Sequence, residues 1–585
     1  MCGIFGFVKT SKASPEIILN GLKLLEYRGY DSWGIAVKVD GNIEVEKNVG
    51  KIGDAKISLP ESEIGIGHTR WATHGGVTNE NSHPHLDCYK NIAVVHNGII
   101  ENYIELKEDL IKKGHKFVSE TDTEVFPHLI EEFENTFNFE NAFKNAFNAV
   151  KGLNAVVAIS SKTKEIAAAK TGSPLIVGIE DNGFYISSDP SAISIHTKKA
   201  LFLKDNEMVI LGSSLRLYEL PSGSDINPSF ETLESNSQSE DLGKFKHFMI
   251  KEIYDQPKVL DTVSGYEKEI EKLAEEIRNA FGTFFIGAGT AYYAALAGSY
   301  LFSKIAKVHV NHSPASEFNY LEDFLKKKSL IIALSQSGET IDVVEPLQRA
   351  KNKGSKIAAL VNVKGSSIYR MSDLTILLGA GTERAVASTK AYISKLAVLL
   401  LLSYALKNDL NTGKKLILNA SKEIERILND KNLDNIKKIA SFLNTKEHIY
   451  IIGRGISYPS ALEAALKIRE VSYIHAEGIA GGELKHGAIA LISKGTPVIV
   501  FAPNDETYSA IISNAMEIKA RGGVIIGIGF KEADVFDYFI EVKDTSDAFV
   551  ISQVVPVQLL SYYLAIMKSY DPDKPRNLAK SVTVK

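Results

Sequence analysis

The residues with the greatest chemical reach begin at Cys2, directly behind Met1. Once Met1 is removed, residue 2 carries a thiol and a free α-amine together. An α-amine titrates at about 8, so its neutral form can act as a local base for the thiol. With Met1 attached the same nitrogen is an amide, and the active form is therefore expected to begin at Cys2. Three further stretches carry matching polar groups: GHTRWATHGG from Gly67, VVHNGIIEN from Val94 and SETDTEV from Ser119. Arg70 offers a planar fork for a carboxylate, and Asp122 can accept from an ammonium. Those are the two needs of an α-amino acid head group. Asn97 and the Gly98 N–H can donate to the oxyanion that forms when a thiolate attacks an amide. His68, His74, His83, His85 and His96 raise a zinc reading. No tight spacing with a cysteine supports it, and no metal is expected. Cys88 has no evident chemical neighbour and reads as a structural thiol.

A second group lies past residue 280. SQSGET, Ser335 to Thr340, follows the apolar LIIAL and precedes IDVVEPLQRAK. Hydroxyls and free N–H groups at a helix start make a phosphate cradle, although an ordinary Ser/Thr cap has the same composition. AGTERAVASTKAY, which contains Ser388, is another hydroxyl-rich loop. Lys467 and Glu470 are three apart and share a helical face, as acid–base groups or as a surface ion pair. Glu483, Lys485 and His486 follow in a glycine-rich turn. Lys580 lies in PRNLAKSVTVK, a tail expected to be ordered by Pro575, Arg576 and the alternation of SVTV. There an amine of lowered pKa can condense with a ketone. GAGTAY and GRGISY lack the third glycine of a dinucleotide loop, and no GxxxxGK[ST] sequence occurs. Neither a nicotinamide nor any other cofactor is expected.

These groups must be positioned by 585 residues, of which 44% are hydrophobic and 24% charged, ordinary for several buried cores. Sixty-seven basic and 71 acidic side chains leave a net charge of −4, too balanced for nucleic-acid binding through backbone electrostatics. The longest apolar run, Leu396 to Leu406, has 11 residues, against about 20 for a membrane span. It reads as a buried helix. No leader pattern precedes CGIFGFV, and two cysteines make no disulfide scaffold, so a reducing cytoplasm is expected.

Residues 2–222 read as many short strands with two helical segments, PEIILNGLKLLEYRG and Tyr103 to Lys113, suggesting stacked sheets with helices outside. Residues 223–247, rich in Ser, Asp, Glu, Gly and Pro, read as a linker. Strand–helix alternation then predicts parallel sheets covered on both faces. TFFIGAGTAYYAALAGSYLF, from Thr283, is echoed by HIYIIGRGISYPSALEAALKI, from His448, and SLIIALSQSGET by TPVIVFAPNDET. The repeat predicts two α/β subdomains, 248–410 and 440–572, with a helical connector at 411–439 and a tail at 573–585.

CGIFGFV, LEYRGYDSWG, GHTRWATHG, HNGIIEN and SETDTE strongly resemble the N-terminal-nucleophile glutamine amidotransferases. That resemblance implies an αββα sandwich in which Cys2 attacks the glutamine side-chain amide. It places Arg70, Thr73, His74 and Asp122 at the glutamine, Asn97 and Gly98 in the oxyanion hole, and Trp71 as gate of an ammonia channel. KEIYDQP, SLIIALSQSGETIDV, AGTERAVASTKA, VSYIHAEGIAGGELKHG and PRNLAKSVTV resemble the paired sugar isomerase domains of the isomerising glutamine–fructose-6-phosphate aminotransferases. This implies L-glutamine and fructose 6-phosphate as substrates, glucosamine 6-phosphate and glutamate as products, and a homodimer with a shared sugar site. Thr290, Ser335, Gln336, Ser337, Thr340 and Ser388 would hold the sugar phosphate, and Lys580 would form a Schiff base at C2. Glu470 would move a proton between C1 and C2. His486, supplied by a partner subunit, would open the ring, with Lys467 and Lys485 in support. Ala291 stands where the family suggests a serine, which predicts weaker phosphate binding. Deglycases and non-enzymatic sugar-phosphate sensors share the second half, but a deglycase has no need of the Cys2 constellation.

Overall fold

The computed structural model describes residues 2–233 and 242–582. The chain forms two units, Met1–Glu240 with Ser581–Lys585, and Asp241–Lys580.

In the first unit, alternating apolar residues build two antiparallel sheets of eight and seven strands. The strand Gly3–Ala13 lies inside the larger sheet, between Ser62–Arg70 and Gly183–Ser187, with Gly3 opposite Thr69. Ile92–Asn97 and Ala155–Ser160 are neighbours in the smaller one. The facing sides interleave Ile4, Val8, Ile64 and Ile66 with Val95, Val157, Ile159 and Val209 in one core. Glu16–Leu25 covers the outside of the larger sheet through Ile18, Leu19 and Leu22. The expected αββα sandwich is what the unit forms.

Four helices of eight or more residues build its outer layers, twice the expected number. Val125–Glu134 and Phe139–Ala149 were not anticipated. Both are amphipathic: Phe126, Ile130, Phe143 and Phe147 sit in the core over the smaller sheet. Their aromatic residues at helical spacing were the available signal. The stretch 223–247 starts as structure: Ser224–Asp225 pairs with the strand Leu215–Glu219, and Glu231–Thr232 with Lys199–Phe202.

The second unit contains the expected repeat. Each half has a five-stranded parallel sheet whose strands, numbered in chain order, lie 2-1-3-4-5. Strand order reverses between the first and third strands, where ligands of open α/β sheets bind beyond the strand carboxyl ends. In the first half those ends are Gly287 and Ser335, the first residues of GAGT and SQSGET. Lys390–Leu406 is buried from Lys390 to Ala405, as a helix apolar on all sides requires. The stretch Ser546–Met567 is long and apolar enough for a membrane span, and 89% of its apolar window is buried inside the protein. Leu410–Ile427 and Asp430–Leu443 make the 411–439 stretch helical, and their apolar faces join the same core.

Candidate active sites

In the first unit, sheet pairing carries Cys2 to the end of the strand Ser62–Arg70. The Trp71 N–H donates to Cys2 Sγ at 3.4 Å, and the Asn97 side-chain amide donates to the Cys2 carbonyl at 3.1 Å. Burial pushes the thiol pKa up, while the Trp71 N–H and the Arg70 charge oppose it. Such a thiol needs a base before it can attack. Arg70 is buried; its guanidinium donates to the carbonyls of His74 and Gly76 at 2.5 and 3.0 Å, and thereby shapes the loop after it. Asp122, also buried, accepts from the Ile100 N–H at 2.7 Å. Arg70 feels the charges of Cys2, Asp31 and Asp122, which puts all four in one electrostatic neighbourhood. Gly98 has φ +142°, and a Cβ there would strike the Leu153 carbonyl, so its N–H direction depends on glycine.

Thr73 is exposed beside His74, whose ring edge meets Tyr103 at 5.4 Å. His68, His83, His85 and His96 are buried, and burial lowers the pKa of each, that of His68 to about 3. They are neutral packing groups: His68 stacks on His83 at 4.1 Å, and His96 bonds Thr123 and Asn154.

In the second unit, Lys580 is fixed by the AGTERAVASTKAY loop. Its amine donates to Glu383 at 2.6 Å and to the Ala385 carbonyl at 2.7 Å, with 2% and 0% exposure left to the two charged side chains. Glu383 also accepts from Ser388 Oγ and the N–H groups of Thr389 and Ala391. Burial works against its charge, but the Lys580 ammonium, the Ala391 N–H and the Lys395 charge together hold the carboxyl low. Asp573 anchors the tail by accepting from the N–H groups of Phe248 and Met249 at 2.8 and 2.7 Å. Lys467 is buried and ion-paired with Glu470, and lies 3.5 Å from the buried Glu463. The surface-pair reading of Lys467 and Glu470 is thereby excluded. Burial raises Glu463 to about 7, and Thr290 Oγ1 donates to it at 3.3 Å.

Lys395, pushed down to about 8 by burial, feels Glu383, Lys580, Glu463 and Lys467 and ties the two clusters together. Among the described residues, buried Glu252 Oε2, Thr389 Oγ1, Tyr392 OH and Glu463 Oε2 have no hydrogen-bond partner. Each such atom costs about 1–3 kcal/mol unless something polar reaches it.

SQSGET forms a tight turn before the helix Ile341–Asn352. Ser335 Oγ accepts from the Gly338 N–H at 3.0 Å and lies 3.3 Å from Thr340 Oγ1; Ser337 Oγ accepts from the Glu339 N–H. The Gln336 carbonyl accepts from the Asn362 N–H at 3.1 Å. The matching loop of the second half begins the helix Tyr508–Lys519, but Asp505 already accepts from the Thr507 N–H and hydroxyl. With Asp505 in place of Gly338 and Ala502 in place of Ser335, that loop has at these positions one more carboxylate and one fewer hydroxyl than SQSGET, which disfavours a phosphate. The repeat thus has one suitable cradle.

Residues 68–194 match the glutamine amidotransferase domain family, and 276–405 and 442–568 match the SIS domain family. A Pyrococcus horikoshii protein named glutamine–fructose-6-phosphate aminotransferase (isomerizing) is 44% identical over 598 residues, covering 100% of both chains. Its Thermococcus kodakarensis namesake is 42% identical over 604 residues, again with 100% of each covered. The chain belongs to the isomerising glutamine–fructose-6-phosphate aminotransferase family. Among solved structures, the C-terminal domain of glucosamine-fructose-6-phosphate aminotransferase from Francisella tularensis is similar, with a TM-score of 0.53 and 32% identity. It covers 57% of this chain and 100% of its own.

In this aminotransferase family member, Cys2, Arg70, Asn97 and Asp122 lie in the first unit, and Ser335, Glu470 and Lys580 lie in the second. Lys485 and His486 are different: both are exposed on the turn Leu484–His486, and neither has a side-chain hydrogen bond to the Lys580 cluster among the described residues. Ala291 is buried in the first turn of Thr290–Leu301 and supplies no hydroxyl. Sequence reasoning missed Asp31, which accepts from the Ala72 N–H at 2.8 Å, and Glu383, Glu252 and Lys395. It also gave Cys88 no neighbour. The fold brings His115, His128 and Glu131 around that thiol from more than 25 residues away, beyond the reach of a spacing argument. Residues 583–585 of the expected ordered tail lie outside the described residues.

Proposed function

We propose that the protein converts L-glutamine and D-fructose 6-phosphate into L-glutamate and D-glucosamine 6-phosphate. What supports this reading is one chain that holds Cys2 among Arg70, Asn97 and Asp122 in one unit, and a buried Lys580–Glu383 pair in the other. Cys2 gives its proton to its own α-amine once Met1 is gone, and the thiolate attacks the glutamine carboxamide carbon. Asn97 and the Gly98 N–H receive the oxyanion. The C–N bond breaks, the leaving nitrogen takes a proton, and ammonia departs from a glutamyl thioester that water then cleaves. Arg70 binds the α-carboxylate and Asp122 the α-ammonium, with Thr73 and His74 closing the pocket.

Ammonia in open water would mostly protonate, so an enclosed path serves the reaction, and Trp71, whose backbone brackets the Cys2 thiol, is its gate. At the sugar, Ser335, Gln336, Ser337 and Thr340 hold the phosphate at the helix start, with Thr290, Ser388 and Lys485 completing the subsite. Lys580 condenses with the C2 ketone and releases water. Ammonia then displaces the lysine, leaving a C2 imine. Glu470, with its charge tuned by Lys467, takes a C1 proton and returns it to C2 while the O1 hydroxyl proton passes to the nitrogen, so the imine becomes an amine and C1 an aldehyde. His486 opens the ring. Its exposed position favours donation from a second copy, and hence a homodimer.

The test supplies amide-¹⁵N glutamine and fructose 6-phosphate to protein lacking Met1 and follows products by mass spectrometry. Labelled glucosamine 6-phosphate matched by glutamate is expected. Glutamate without amino sugar would overturn the acceptor assignment, and absence of both would overturn the reading altogether.

A further inference from the structure

Cys88 occupies the turn between the strands His85–Leu86 and Ile92–Asn97. His115 follows the helix Tyr103–Lys112, and His128 and Glu131 project from one turn of Val125–Glu134. Their donor atoms converge within 4.8 Å of one another. Cys88 Sγ lies 3.7 Å from His115 Nδ1 and 3.5 Å from His128 Nδ1, and Glu131 Oε2 lies 3.1 Å from each of those nitrogens. We propose that Cys88, His115, His128 and Glu131 form a structural zinc site on the outer helical layer of the amidotransferase unit.

The separations match the edges of a tetrahedron. Zinc bond lengths of about 2.3 Å to sulfur and about 2.0 to 2.1 Å to nitrogen and oxygen give edges of about 3.6 Å for S···N and about 3.3 Å for N···O. The outward nitrogens face carboxylates, as metal-bound imidazoles usually do: His115 Nε2 lies 3.4 Å from Glu132 and His128 Nε2 3.8 Å from Glu124. The His128 separation is too long for a hydrogen bond, and that buried nitrogen has no other partner. The Lys116 N–H donates to Cys88 Sγ at 3.4 Å, a contact suited to a thiolate. One thiolate, two imidazoles and one carboxylate favour zinc over magnesium or calcium.

Four protein ligands complete a tetrahedron and leave no position for a substrate. The role is therefore a staple that joins a turn, the end of one helix and the middle of another. Binding costs a proton from Cys88 and requires neutral imidazoles, so zinc uptake releases protons and weakens toward acid. Without metal, the same groups form a histidine–glutamate hydrogen-bond cluster, and the experiment separates the two.

Full-length protein stripped by chelator under reducing conditions is reloaded with Zn²⁺, desalted and assayed for metal by mass spectrometry. Co²⁺ is loaded in parallel for absorption spectroscopy. One zinc per chain is expected, together with intense tetrahedral Co²⁺ bands and a thiolate-to-cobalt charge-transfer band. Cys88→Ser should lose the charge-transfer band and most of the zinc while keeping glutaminase activity, which reports its folding. Zn²⁺, and not Mg²⁺, should raise the melting temperature of the stripped wild type. A stripped wild type that retains no zinc would overturn the site, as would equal zinc and an unchanged cobalt spectrum in Cys88→Ser.

Discussion

Lys580 is held by Glu383, a carboxylate inside the AGTERAVASTKAY loop to which sequence reasoning gave no role. Its amine reaches Glu383 and the Ala385 carbonyl, so the group that would bond to the sugar is oriented by the loop that also carries Ser388. Lys580→Ala should abolish amino-sugar formation and leave glutamine hydrolysis within about twofold of wild type, because Cys2 and its partners belong to the other unit. Normal glucosamine 6-phosphate output from that variant would remove Lys580 from the mechanism. Glu463 gives a pH signature. Its carboxyl moves from an ordinary 4.5 up to about 7 on folding because burial disfavours its charge. The folded protein holds that proton more tightly, so the contribution to stability is fully present below 4.5 and is lost as pH rises through about 7. Glu463→Gln should flatten urea-unfolding stability across that window, and an unchanged slope would show that the carboxyl is not the titrating group. At this scale Cys2, Arg70 and Lys580 stand out in the sequence because their motifs are local. Glu383 and Asp31 sit inside equally local motifs, but what they bond to is set by folding, and the partners of Cys88 are brought in by folding alone.

At the scale of elements, the phosphate turn depends on one backbone conformation. Gly338 has φ +68°, and a Cβ there would collide with Ser366 Oγ. The Ser335 hydroxyl fixes the same residue by accepting its N–H. Gly338→Ala should therefore open the turn and raise the KM for fructose 6-phosphate by about tenfold or more, equivalent to one hydrogen-bonded phosphate contact. Glutamine hydrolysis measured alone should not change. An unaltered KM would mean that the sugar phosphate binds elsewhere. The parallel sheets and their repeat were legible because strand, GxG and helix recur in the same order. Val125–Glu134 and Phe139–Ala149 were not, because strand signals dominate their surroundings and the aromatic spacing that marks them is shared with ordinary core segments.

The whole molecule divides its chemistry between two separately cored units. Cys2→Ser should end glutamine-dependent synthesis and leave the dissociation constant for fructose 6-phosphate within about twofold. Loss of sugar binding by a folded Cys2→Ser protein would contradict that division. Domain order was readable from composition and motif. The point at which the first unit ends was less so, because Ser224–Asp225 and Glu231–Thr232 are polar, exposed strands with nothing to bury.

The two nucleophiles lie almost a full sequence apart: one is translated at the start and the other at residue 580. A ribosome that has reached only the first SIS segment has already released every residue of the glutamine site. On the proposed roles, a premature stop or a protease cut between residues 241 and 580 keeps Cys2 and its partners but removes Lys580, and such a chain is expected to hydrolyse glutamine and make no amino sugar.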